Sequence, residues 1–237
     1  MVRVISAVSG KGGAGKTTAA ILVAGELALE GKSVLMIDAD ARRNLTEWWE
    51  RSIQKDNRPV NVSMVVAARR EGLNEAIDRA AGQSDFIIID APGVDSSLIS
   101  AVLERSELIM TPVQPNQDEI KAVGEAAELA ASVGDTLGRT IPQAIFRTRI
   151  TVPNRNLAEY RIIRQFSEKL EQSGYDSVLL ETELTERNCY REIRSGLGTL
   201  QMLELTEPVR KGRAETKAFV QELLNVPSVI SERNQNG

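Results

Sequence analysis

The chain has 237 residues, 42% of them hydrophobic and 26% charged, with 29 basic against 33 acidic side chains, one cysteine and no histidine. That composition belongs to a folded globular protein and excludes disordered and fibrous classes. Without histidine there is no Ser-His-Asp triad, no histidine–metal site and no imidazole acid–base catalyst. Cys189 alone makes no internal disulfide, four-cysteine zinc site or intrachain iron–sulfur cage. Chemistry must therefore come from lysine, arginine, carboxylates, hydroxyls, the backbone and a borrowed cofactor. A net charge of −4 gives no overall pull toward nucleic acid or anionic lipid, so any such contact needs a local patch.

The chain enters a strand-like run at once, with no leader-like apolar core before it. No apolar run approaches the ~20 residues that cross a bilayer, so a cytoplasmic location is expected. In chain order the pattern predicts a strand at Val4–Val8, a helix at Thr17–Glu30, a strand at Ser33–Ile37 and a helix at Asn44–Gln54. Next come a strand at Val62–Val66, a helix at Leu73–Ala81, a strand at Phe86–Ile89 and a helix at Ser96–Arg105. Leu108–Val113, Ile141–Phe146 and Ser177–Leu180 read as further strands, separated by helices at Asp118–Val133 and Asn156–Ser173. Gly31 and Gly174 fall where helices end on a left-handed residue. Several strands are apolar on both faces, as in a parallel sheet covered on each side. The alternation predicts one doubly wound α/β domain over 1–227, and 228–237 reads as a polar, frayed tail.

The first strand is followed by Gly10-Lys11-Gly12-Gly13-Ala14-Gly15-Lys16-Thr17-Thr18, which opens a helix. This satisfies G-x-x-x-x-G-K-[ST] in its strand–loop–helix setting, a P-loop NTPase signature. The glycines let successive backbone N–H groups converge on phosphate oxygens, and the helix N-terminus adds its positive end. Lys16 supplies charge to the β- and γ-phosphates, and the Thr17 hydroxyl is placed to ligate Mg²⁺. Asp38, Asp40 and Asp90 end or follow strands, and so reach the carboxyl edge of the sheet where ligands of open α/β folds bind. We expect Asp90 and Asp38 in the outer shell of the metal and Asp40 positioning the attacking water; the alternative for Asp40 is a loop or helix-cap role.

The early Lys11 makes the loop resemble the deviant Walker A motif of the ParA/MinD superfamily. The resemblance extends over most of the chain: the strand ending Asp38-Ala39-Asp40, Phe86–Gly93 as a Walker B strand, Thr111–Pro115, and Glu186–Glu192 ahead of Gly196. It implies ATP and Mg²⁺ as cofactors and an ATP-sandwich homodimer in which Lys11 reaches the partner's phosphates, making Lys11, Lys16 and Asp40 the catalytic set. It also implies slow hydrolysis stimulated by DNA and by a ParB-like or centromere-binding partner, in a nucleoid-associated bacterial or plasmid-encoded protein. One departure stands out. Typical ParA proteins continue Asp-x-Asp with Pro-Gln, whereas this chain has Ala41-Arg42-Arg43-Asn44. A VirC-type recruiter of conjugative DNA is similar, so the cargo is either a partitioned replicon or a transferred strand.

Two stretches are locally basic. Arg139–Arg164 holds six arginines and one acid, and Arg187–Lys217 holds seven basic and four acidic residues. We expect nonspecific DNA contacts from Arg187, Arg191, Arg194, Lys211, Arg213 and Lys217, against the alternative of a solvated helix face or arginines used by the nucleotide and dimer. The MinD-like membrane alternative needs a basic amphipathic C-terminal helix. Here Thr216–Leu224 runs into Pro227 and a polar end, so no membrane contact is expected. One cysteine excludes a nitrogenase-type iron protein, and scattered tyrosines argue against a bacterial tyrosine kinase. A small-molecule ligase on the same scaffold is the remaining enzyme of another class.

Overall fold

The computed structural model describes residues 3–93 and 96–236. Met1, Val2 and Gly237, at the ends of the reading above, lie outside the described residues. Among the described residues there are eight strands and eight α-helices, alternating as far as β7: β1 (Arg3–Ala7), α1 (Lys16–Leu29), β2 (Val34–Asp38), α2 (Asn44–Gln54), β3 (Val62–Val66), α3 (Arg70–Ala80), β4 (Phe86–Asp90) and α4 (Ile99–Arg105). They continue with β5 (Leu108–Val113), α5 (Gln117–Leu137), β6 (Gln143–Ile150), α6 (Ala158–Gln172), β7 (Ser177–Leu179), β8 (Leu184–Thr185), α7 (Asn188–Arg194) and α8 (Glu207–Asn236). Every pairing is parallel, in the order β3-β2-β4-β1-β5-β6-β7, with β8 beside the far end of β6.

The sheet has helices on both faces, as the alternation predicts. One core layer joins α1, α2, α7 and α8 to the sheet, and another joins α3, α4 and α5; α6 closes a third cluster against β6 and α5. The central strands β2, β4 and β5 are buried along their whole length, the reason their sequences are continuous apolar runs rather than alternating ones. Helix α1 is apolar on nearly every side because it lies between the sheet and α8. Trp48, the more buried of the Trp48–Trp49 pair, is 1% exposed, and its indole N–H donates to Gly198 O at 3.1 Å, so it serves packing.

Two features position the site. β1 lies between β4 and β5, where successive connections leave in opposite directions, and its carboxyl end is the crevice of a doubly wound sheet. In β2, Asp38 stands in register with Asp90 of β4, which itself stands beside Ala7 at the end of β1.

The C-terminus corrects the reading of a frayed tail. α8 continues through Pro227 to Asn236. Proline removes one backbone donor, but Val226 and Ile230 on either side are 1% and 2% exposed in the main core. Arg233 then ties the last turns to Tyr175 O at 3.1 Å and to Glu171 at 3.2 Å. Tertiary burial outweighs the local breaker.

Candidate nucleotide-binding site

The turn from β1 into α1 is made by glycines that no other residue replaces cheaply. Gly13 and Gly15 have φ of +91° and +110°, so their N–H groups can point into one concavity. A Cβ on Gly15 would also lie 3.1 Å from the Thr148 hydroxyl. Gln114 Nε2 braces the loop from β5's end by donating to Gly13 O at 3.2 Å.

This loop floors a cavity of about 630 Å³ whose walls come from the β2–α2 loop, the end of β6, β8 and α7. Six cations line it, Lys16, Arg42, Arg149, Arg187, Arg191 and Arg194, against two carboxylates, Asp40 and Glu186. An acidic chain has thus gathered a local positive excess over a phosphate-binding loop, with Leu184 and Tyr190 supplying apolar wall. Lys16 is 8% exposed, so its charge acts in a partly dehydrated setting.

The aspartates divide their work. Thr17 Oγ donates to Asp90 Oδ2 at 2.5 Å, while Asp90 Oδ1 is buried with no hydrogen-bond partner. Burial pushes the Asp90 carboxyl up to about 7, and the Thr17 bond and the Lys16 charge pull the other way. An orphaned carboxylate oxygen next to a P-loop hydroxyl fits an Mg²⁺ held through water. Among the described residues no group of three or more Asp, Glu, Cys or His could cage a metal, so the ion would rely on Thr17, nucleotide oxygens and water. Asp38 is fully buried, with Oδ2 accepting from the Thr46 N–H at 2.8 Å and hydroxyl at 2.6 Å, and Oδ1 from the Asp40 N–H at 3.2 Å. It pins the first turn of α2 and the loop that carries Asp40. Asp40 lines the cavity, and its Oδ1 accepts from the Arg42 N–H at 2.9 Å.

Lys11 forms an ion pair with Asp118 at 2.6 Å, both side chains being substantially exposed. Its bond and charge hold the Asp118 carboxyl below the usual range. Solvent-exposed pairs of this kind are exchanged at little cost, so Lys11 is available to another anion. Glu119, next to it, is buried at the first turn of α5, with its carboxyl raised by burial against the opposing charges of Lys11, Arg149 and Lys16.

The six arginine and lysine candidates for DNA contact separate. Arg187, Arg191 and Arg194 line the nucleotide cavity. Arg187 is bound to Glu215 at 2.7 Å, and Arg191 to Glu186. Arg213 donates to the carbonyls of Leu200, Gln201 and Leu203, closing the loop before α8. Lys211 and Lys217 are exposed on α8, with Lys211 3.3 Å from Glu207. The arginines of 139–164 are largely used inside the fold. Arg147 stacks on Tyr160 at 5.0 Å beside Glu183, Arg155 pairs with Glu183, Arg164 with Glu181, and Arg139 donates to Glu104 O. Two stand apart: Arg161 is exposed on α6, and Arg149 reaches the cavity. A register shift in β6 puts Arg149 at φ +53° and at the cavity wall.

Arg149, which follows a strand at the ligand edge, is where the sequence allows a nucleotide-pocket arginine; residues absent from the sequence expectation are Arg42, Gln114, Glu119 and Glu215. Glu215 of α8 accepts from the Thr185 N–H and hydroxyl, from Arg187 and from the Tyr190 hydroxyl, and so organises one wall of the cavity. Only Gln114 and Glu119 carried a signal, since both sit in the Thr111–Pro115 segment and the acidic helix start after it.

A family model described as VirC1 protein matches residues 2–231. The chain belongs to the VirC1 family. Within the wider ParA/MinD/VirC1 group of P-loop ATPases, it is 26% identical over 201 residues to a ParA protein of Rhizobium radiobacter, covering 85% of this chain and 86% of that one. It is 26% identical over 226 residues to the VirC1 protein of the same organism, covering 94% of each. The septum site-determining protein MinD of Pyrococcus horikoshii, solved with Mg-ADP, superposes with a TM-score of 0.68 at 21% identity, over 97% of this chain and 99% of that one. That likeness shows a shared fold. No helix among the described residues of this VirC1-family chain is long and apolar enough to cross a membrane.

Proposed function

We propose that this VirC1-family chain is a slow ATP hydrolase whose ATP-bound form is a homodimer that binds DNA without sequence preference and positions it with a partner protein. The observation that carries the reading is the phosphate loop with two lysines, Lys11 and Lys16, set beside the Thr17–Asp90 pair in a cationic cavity. Magnesium, when bound, neutralises charge on the terminal phosphates and fixes their geometry. Around it, Gly10, Gly12, Gly13, Ala14, Gly15 and Thr18 supply backbone N–H groups, Lys16 charge, and Thr17 with Asp90 the metal contact. Asp38 holds the loop on which Asp40 faces the site. Asp40 accepts a hydrogen bond from a water aligned with the terminal phosphate, and removal of that phosphate ends the contacts that hold the dimer.

Lys11 supports the dimer because its own protomer offers it only an exposed carboxylate. A partner's phosphates would hold it more strongly. For DNA, Lys211 and Lys217 are the two of the six candidates that lie exposed on α8 outside the cavity, Lys211 sharing only an exposed pair with Glu207. Two copies in a dimer would double that patch, which makes phosphate binding contingent on ATP. The relation to VirC1 proteins favours cargo of the transferred-strand kind over a replicon. The test is phosphate release with and without duplex DNA and the product of the neighbouring gene. Stimulation by DNA supports the reading, and ATP consumption coupled one-to-one to a small metabolite, indifferent to DNA, contradicts it.

A further inference from the structure

Three arginines of the cavity, Arg42, Arg149 and Arg194, have no bonded acidic partner among the described residues, whereas Arg187 and Arg191 are each held by a glutamate. Like charges gathered on one open cleft raise its positive potential and favour an anion between them. Two of the three lie on the reactive side of the loop. Arg42 follows β2, and Asp90 ends β4; both strands lie on the same side of β1, while Arg149 rises from β6 on the other side. The Arg42 guanidinium rests directly on the phosphate loop. A Cβ on Gly12 would overlap Arg42 Nη1 and lie 2.9 Å from its Cζ. The loop is held in that pose by the Asp40 carboxylate, which takes the Arg42 N–H, and by the left-handed Arg43 at φ +54°. Arg194, from α7, is half-buried at the cavity wall, and the foremost charge acting on it is Asp90, with Arg51, Glu47 and Arg149 around it.

We propose that Arg42 and Arg194 grip the terminal phosphate of the bound nucleotide from within one protomer. This rests on the nucleotide reading above and deepens it, because it separates two tasks that a trans lysine would otherwise share. The in-cis arginines distinguish triphosphate from diphosphate in a single subunit, and Lys11 reports that a second subunit has docked. Arg42 stands where typical ParA proteins have the Pro-Gln of their switch segment, so the device belongs to this chain's own departure from that pattern. Charge-assisted contacts to phosphate are among the stronger single interactions in a partly dry site.

The experiment is titration of the full chain with fluorescent Mg²⁺-ADP and a fluorescent non-hydrolysable Mg²⁺-ATP analogue, for wild type, Arg42→Ala, Arg42→Lys, Arg194→Gln and Lys16→Ala. Arg42→Ala and Arg194→Gln are each expected to weaken the triphosphate roughly tenfold or more while moving ADP affinity by less than about threefold. Arg42→Lys keeps most of the discrimination. Retained ADP affinity certifies that each variant is folded. Equal loss of both nucleotides, or no change in either, overturns the proposal and leaves the nucleotide reading intact. Failure of the wild type to bind either nucleotide, with Lys16→Ala no different, overturns both.

Discussion

Asp90→Asn tests the electrostatics of the site without any ligand. The Asp90 carboxyl is buried, with one oxygen held by Thr17 and the other unpaired, and it titrates at about 7 in place of the ordinary 3.8. In the nucleotide-free protein the folded state therefore keeps a proton between about pH 4 and 7 that the unfolded chain has already released. The folded form is favoured below that window, loses the advantage as pH rises through 7, and stays flat above it. Converting those two values at 1.36 kcal/mol per pH unit gives roughly 4 kcal/mol of strain from the buried charge at pH 8. Asparagine keeps an acceptor for Thr17 and never ionises, but buries an N–H₂ where Oδ1 has no partner, at a cost of about 1–3 kcal/mol at every pH. The stability difference, variant minus wild type, should climb by roughly 3–4 kcal/mol between pH 4.5 and 8, with the variant equal or more stable at the alkaline end. Thermal or urea melts in EDTA at half-unit pH steps measure it, and other titrating groups cancel because both proteins carry them. Parallel pH profiles would refute the reasoning, since they require Asp90 to be ionised at ordinary cost.

Gly15→Ala forces a side chain into φ +110° against Thr148 and should cost about 1–2 kcal/mol of stability, with nucleotide binding reduced by fluorescence titration. Glu215→Ala strips Thr185, Arg187 and Tyr190 of their shared acceptor. A loss of about 2–4 kcal/mol in urea unfolding is expected, with adenine-nucleotide affinity falling as the wall loosens. DNA affinity in the presence of the ATP analogue should fall linearly in log–log plots against salt, with a shallower slope for Lys211→Ala/Lys217→Ala. A salt-independent, sequence-selective signal contradicts a phosphate-based contact.

The parts legible in sequence are those fixed by local physics. Phe86–Ile89 and Leu108–Val113 announce themselves because strands covered on both faces are continuously apolar, and both lie within a residue of β4 and β5. The phosphate loop is legible because its function needs a contiguous backbone shape. β8 was not, since two residues carry no period, and it exists only where β6 bulges to meet it. The length of α8 was hidden by Pro227 and a polar surface, and is set by Val226, Ile230 and Arg233 finding partners far away in the chain. Charge patches read least well. Arginines that look alike in sequence are a stacking partner at Arg147, a carbonyl clamp at Arg213 and a cavity wall at Arg194, because their roles depend on which strand ends beside them. Asp38 similarly sits one strand from Asp90, and only the register shows that it anchors α2.

The claim that ATP gates dimerisation through Lys11 is tested most directly by sedimentation velocity with Mg²⁺ and either ADP or a non-hydrolysable ATP analogue, for wild type and Lys11→Ala. The expected result is a monomer with ADP, a dimer with the ATP analogue, and a monomer for Lys11→Ala that still binds the analogue. A full dimer formed by Lys11→Ala, or a wild type that stays monomeric with bound ATP analogue, would contradict it.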